Sequence, residues 1–136
     1  MPRIMAIDYG EKRTGLAVTD NLKMIASPLE TVDTRRLTDY LRQYFTSQQV
    51  EKVIIGMPYR ADGTLPPFAQ KIKDLAQWIN KNFPTIAVEF IDERYTSRMA
   101  KQTLIQAGAK KKKRQQKQTL DKIAAAIMLQ EYLGNI

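Results

Sequence analysis

The sequence has no cysteine and no histidine. The first absence excludes disulfides and thiolate nucleophiles, and the second removes imidazole as a general base and as a metal ligand. Long hydrophobic runs are missing too: no stretch of about 18 apolar residues offers to span a bilayer. The opening Met-Pro-Arg-Ile leads straight into a short apolar run and carries no signal-peptide pattern. A cytoplasmic protein without membrane attachment is therefore expected. Acidic residues are in deficit, 14 against 22 Lys and Arg, for a net charge of +8. That balance favours a polyanionic partner, although ribosome-associated and membrane-surface proteins share it. Any acid–base or metal chemistry must come from carboxylates, Lys, Tyr or a bound ion. At 136 residues, one domain over 1–136 with a real core is expected.

The chain is organised around Ile4-Met-Ala-Ile-Asp8-Tyr-Gly10-Glu-Lys12-Arg13-Thr-Gly15-Leu-Ala-Val-Thr-Asp20. Ile4 to Ile7 has the pattern of a strand covered on both faces, and Asp8 terminates it. Gly10 and Gly15 bracket a turn carrying two cations, where glycine permits left-handed dihedrals or close approach of another group. Leu16 to Val18 resume a strand. Taken singly, Asp8 is more often a turn-former bonded to its own loop.

Met24 to Thr31 reads as a third strand, and Pro28 places it near an edge or at a bulge. Short turns join these three strands, so an antiparallel meander is expected. Asp33-Thr34 can cap a helix whose apolar stripe is Leu37, Tyr40, Leu41, Tyr44 and Phe45. Lys52 to Gly56 is a buried strand ending at Gly56-Met57-Pro58. After a loop with Asp62-Gly63, Pro66-Pro67 opens a helix striped by Phe68, Ile72, Leu75, Ala76, Ile79 and Phe83. Ile86 to Ile91 is a fifth strand, followed by Asp92-Glu93-Arg94. Thr96-Ser97 can cap a third helix running to about Ala107. The basic run 109–118 leads to a last helix from Thr119 or Leu120 to near Leu133. The order β-β-β-α-β-α-β-α-α predicts an α/β fold. Its mixed five-stranded sheet is an antiparallel meander plus two parallel strands, with helices on both faces.

In such sheets sites lie beyond the carboxyl ends of the parallel strands. Asp8 ends strand one, and Asp92-Glu93 end strand five. Neighbouring strand residues point to opposite faces, so only one of Asp92 and Glu93 can face Asp8. Asp121 shares a helix face with Ala124, Ala125 and Met128, small residues that let the helix sit close to the sheet. Its plainer reading is an acid in a first helical turn, stabilised by the dipole. Clustered carboxylates repel, and a divalent cation removes that penalty. Mg²⁺ or Mn²⁺ takes hard oxygen ligands and suits attack of water on a phosphodiester. Lys12 and Arg13 beside Asp8, and Arg94 after Glu93, are candidate phosphate contacts, or else solvated surface charge. Lys110, Lys111, Lys112, Lys113, Arg114 and Lys117 form the densest basic cluster, usually a solvated loop and here a candidate nucleic-acid contact. Tyr59 and Tyr95 can stack on bases or serve as partial core.

Four segments in order resemble the YqgF/RuvX family of Holliday junction resolvases, on the RNase H-like fold. They are Asp8 to Asp20, Gly56-Met-Pro58 with Asp62-Gly63, Asp92-Glu-Arg-Tyr-Thr-Ser97, and Leu120 to Leu133, and the match covers nearly the whole chain. The resemblance implies a metal-dependent nuclease with Asp8, Glu93 and Asp121 as its acidic triad, choosing Glu93 over Asp92. It also implies a bacterial cytoplasmic setting and a nucleic-acid substrate. That substrate is the 5′ end of small-subunit ribosomal RNA precursor or branched DNA. The polylysine run is longer and more uniform than the family's usual basic segment. Two other classes compete: a non-catalytic nucleic-acid-binding module on the same fold, and an actin-like phosphotransferase, whose architecture normally needs two such domains. Monomer and homodimer both remain open.

Overall fold

The computed structural model describes residues 2–20, 22, 25–92 and 113–134, the last segment with side chains from residue 121 onward. Five strands form one sheet in the order β3-β2-β1-β4-β5: β1 (Arg3–Asp8), β2 (Arg13–Thr19), β3 (Ala26–Asp33), β4 (Val50–Met57) and β5 (Ala87–Asp92). β1 pairs antiparallel with β2, and β2 with β3, giving the expected meander. β1–β4 and β4–β5 are parallel. The carboxyl ends of β1, β4 and β5 therefore open on one rim. β3 is an edge strand whose register with β2 shifts between Leu16 and Ala17, next to the position paired with Pro28, so the edge and the bulge that proline predicts are both present.

The helices follow the apolar stripes. A short 3₁₀ turn, Thr34–Arg36, leads into α1 (Leu37–Ser47), and α2 spans Ala69–Asn82. Asp33 caps the 3₁₀ turn through its carboxylate, which accepts from the Arg35 amide. Pro66 and Pro67 stand just ahead of α2, where their carbonyls accept from the Ala69 and Gln70 amides. α3 (Lys113–Tyr132) begins at Lys113 rather than at Thr119 or Leu120. Lys, Arg and Gln are good helix formers and the run holds no Gly or Pro, so nothing local stops the helix there. Lys113, Arg114 and Lys117 accordingly lie on a helix, not in a loop. The predicted third helix lies outside the described residues, as do Glu93, Arg94, Tyr95 and Lys110 to Lys112.

Two cores sandwich the sheet. Met5, Ile7, Leu16, Val18, Val53, Ile55 and Met57 face α1 and α2, burying Leu37, Leu41, Ile72, Leu75 and Ile79. Ile4, Ala6, Ala17 and Ile54 face α3, against Ala125, Met128 and Leu129. Helices on both faces agree with the expectation. The alternation also fixes which strand residues can meet α3. On β1 they are the even positions, hence Asp8; on β2 the odd ones, hence Arg13 and Gly15.

Candidate active site

Asp8 continues the series Ile4, Ala6 on the α3 face and is half-buried at the strand end. Its antiparallel partner is Gly15. On the other side, Ile7 pairs with Ile55, so Gly56 follows beside Asp8 on β4. The residues directly opposite Asp8 on both flanking strands are thus glycines.

On β2 that space is taken by helix backbone. A Cβ built on Gly15 would overlap the Asp121 carbonyl and lie 2.9 Å from the Lys122 amide nitrogen. Gly15 does not have a positive φ, so of the two reasons for a glycine here it is close approach that applies. α3 thus rests on the residue paired with Asp8, and Asp121 stands at the same rim. Its side chain is 28% exposed and accepts from Arg13 Nε at 3.3 Å. The dipole reading of Asp121 does not hold: α3 starts at Lys113, so Asp121 lies in its third turn, beyond the reach of the helix-end charge. Ala124, Ala125 and Met128, on the same face, are buried as that face predicts.

A family model described as RuvX, Holliday junction resolvase, matches residues 2–135. The chain belongs to this family. A protein of Flavobacterium psychrophilum named "Putative pre-16S rRNA nuclease" is 50% identical over 133 residues, covering 98% of this chain and 97% of its own. A protein of Porphyromonas gingivalis with the same name is 46% identical over 135 residues, covering 99% and 98%. Among solved structures, the Fowlpox virus resolvase bound to Holliday junction DNA aligns with a TM-score of 0.60 at 16% identity, covering 97% of each chain. Thermus thermophilus RuvC with a Holliday junction substrate gives 0.56 at 14% identity, covering 99% and 98%. At those identities the two structures show the fold, which is RNase H-like as the resemblance implied.

The remaining predicted site residues of this RuvX-family chain divide as follows. Ile91 packs on the α3 side and Val88 on the other, so Asp92 points away from the face that carries Asp8. Glu93 and Arg94 lie outside the described residues, and among the described ones no three acidic side chains form a metal-sized group. Arg13 is an ion-pair partner of Asp121 rather than a purely solvated charge, while Lys12 is exposed on the turn. Lys12 and Arg13 also line an open cleft of about 480 Å³ with Glu11, Thr31, Val32, Asp33 and Arg35. Arg35 is paired with Asp33 at 2.9 Å, and neither Asp8 nor Asp121 lines the cleft.

Tyr9, next to Asp8, has its phenol pushed up by burial and then by Glu11 and Asp74, so it stays protonated and is a donor rather than a base. Tyr59 is 38% exposed after β4, on a turn where Asp62 Oδ1 accepts from both the amide and the hydroxyl of Thr64. The sequence did not show the approach of Asp121 to Gly15. Its only signal was a glycine where a strand former was due.

Proposed function

We propose that the chain acts as one nuclease domain over 1–136 that hydrolyses phosphodiester bonds with the help of Mg²⁺ or Mn²⁺. Asp8, Glu93 and Asp121 would be its acidic residues. The observation that carries this reading is the seating of Asp121 on Gly15, the strand partner of Asp8. Two carboxylates from positions 113 residues apart stand at one rim of the parallel strands, in a chain without His or Cys. Such a donor set fits a hard divalent cation. Bound there, the ion would neutralise charge on the phosphate and make an attacking water more acidic. Lys12, Arg13 and Arg94 would orient the backbone, with Arg13 also holding the Asp121 carboxylate. The names of its relatives favour ribosomal RNA precursor as substrate, and the family name favours branched DNA.

The test is a panel of labelled substrates incubated with and without Mg²⁺ or Mn²⁺: single-stranded RNA, duplex RNA, a ribosomal precursor leader and a four-way DNA junction. Divalent-dependent cleavage of the leader or the junction is expected. Tight binding to both with no cleavage at any ion concentration would instead assign a non-catalytic binding module.

Lys110, Lys111, Lys112, Lys113, Arg114 and Lys117 would supply sequence-independent affinity. Replacing Lys110 to Lys113 by Ala is expected to weaken binding across all sequences. The slope of log K against log salt should fall by ~0.9 for each phosphate that is no longer neutralised. Melting temperature should barely move. Unchanged affinity and slope in a salt titration would make the run a solvated surface only.

A further inference from the structure

The turn between β1 and β2 is fastened from outside the hairpin by one residue. The Thr34 amide donates to the Lys12 carbonyl at 3.0 Å, and the Thr34 hydroxyl donates to the Gly10 carbonyl at 2.6 Å. Thr14 Oγ1 lies 2.9 Å from Thr34 Oγ1. A hydroxyl has one proton, and Thr34 gives its own to a carbonyl that cannot donate, so Thr14 is the donor of this second bond. Thr14 is fully buried, and its hydroxyl finds its acceptor in Thr34 Oγ1. Both limbs of the turn are thereby held to the first residue of the 3₁₀ turn that leads into α1. The turn is also tight in itself, because a Cβ on Gly10 would overlap the Arg13 carbonyl.

The residues so fixed are those between Asp8 and Arg13. Lys12 is carried on the turn, and Arg13 leaves it to meet Asp121. Thr34 is itself held: Asp33 Oδ1 accepts from the Arg35 amide at 3.0 Å, and Asp33 Oδ2 from Arg35 Nη2 at 2.9 Å. Hydrogen bonding to Arg35 pulls the Asp33 carboxyl down to about 2, so this support stays charged at any pH used for cleavage.

We infer that Thr34 is a positioning residue for cleavage, acting through Gly10, Lys12 and Thr14 to set the direction in which Lys12 and Arg13 leave the turn. The inference rests on the nuclease reading above. Thr34→Val alone would leave the buried Thr14 hydroxyl without this acceptor and so confuse stability with positioning. The double variant Thr14→Val with Thr34→Val removes both hydroxyls at nearly constant shape, so neither is left buried without its partner, and the one remaining cost is the Gly10 carbonyl that gives up its Thr34 donor. It is expected to melt a few degrees below the parent and, assayed well below that temperature, to lose about ten-fold in kcat, the scale of a sub-ångström misplacement, with KM within about two-fold. Thr34→Ser keeps the hydroxyl and should restore kcat to within about two-fold of the parent. A double variant that cleaves like the parent would overturn the inference. So would equal losses in the double variant and Thr34→Ser. Failure of the parent to cleave any substrate would count against the nuclease reading instead. The pin would then be judged by amide exchange of residues 10–14, faster in the double variant and restored by Ser if Thr34 holds the turn, unchanged in both if it does not.

Discussion

Asp8→Asn is expected to abolish divalent-dependent cleavage while leaving the protein folded and able to bind nucleic acid. Asparagine keeps the shape and one carbonyl oxygen but loses the charge that a hard cation needs. Stabilisation of transition-state charge by such an ion is several kcal/mol, and at about 1.4 kcal/mol per decade the loss should be ~10³-fold or more. Folding should change little. Asp8 is only half-buried, and the nearby Asp121 is already balanced by Arg13 at 3.3 Å, so little repulsion is relieved. The signature lies in melting with and without the ion. At ten times its Kd, Mg²⁺ or Mn²⁺ should stabilise the parent by about 1.4 kcal/mol, roughly 5 °C for a chain of this size. Asp8→Asn should show almost none of that shift. A turn-forming Asp8 behaves otherwise: neither protein responds to the ion, and the variant simply melts earlier. That result would remove the acidic site and the nuclease with it.

The rim on which Asp8 sits could be read from local signals. Ile4 to Ile7 before an acid, Pro28 in an edge strand and the stripe Ile72, Leu75, Ala76, Ile79 each obey a short-range rule. Together they fix strands, helices and faces. Alternation narrowed the end of strand five to one of Asp92 and Glu93 without choosing between them; it is the burial of Val88 and Ile91 on opposite sides that turns Asp92 away from the face of Asp8. What escaped were pairings between distant segments. Asp33 and Thr34 both read as cap candidates; Asp33 caps the 3₁₀ turn ahead of α1, whereas the Thr34 hydroxyl turns back to Gly10 across 24 residues. Arg13 read as a phosphate ligand or surface charge, and it pairs with a residue 108 positions away. The start of α3 was missed because the basic run was read by its charge, whereas Lys, Arg and Gln propagate a helix well. Long-range pairing has no periodicity, so no local pattern announces it.

Gly15→Ala should give the second largest loss, and it tests the seating of α3 directly. The new methyl would meet three backbone atoms, the oxygen and carbon of the Asp121 carbonyl and the Lys122 nitrogen, none of which can swing aside as a side chain could. Since Gly15 does not have a positive φ, alanine adds no backbone strain of its own, and the whole effect is steric. The helix must retreat by roughly 1 Å, which costs about 1–3 kcal/mol as overpacking does elsewhere. Asp121 moves with it, away from Asp8 and from Arg13. A 1 Å displacement of a group that orients the reacting atoms is worth ~10²-fold in rate. Cleavage by Gly15→Ala, measured well below its own melting temperature, should fall on that scale. Its midpoint for Mg²⁺ or Mn²⁺ should rise, and more ion should recover part of the rate. Added ion cannot do the same for Asp8→Asn, because there a ligand is missing, not displaced. If Gly15→Ala melts earlier yet cleaves at the parental rate with the parental ion midpoint, the approach of α3 to β2 supports the fold alone. Asp121 would then have no part in the chemistry.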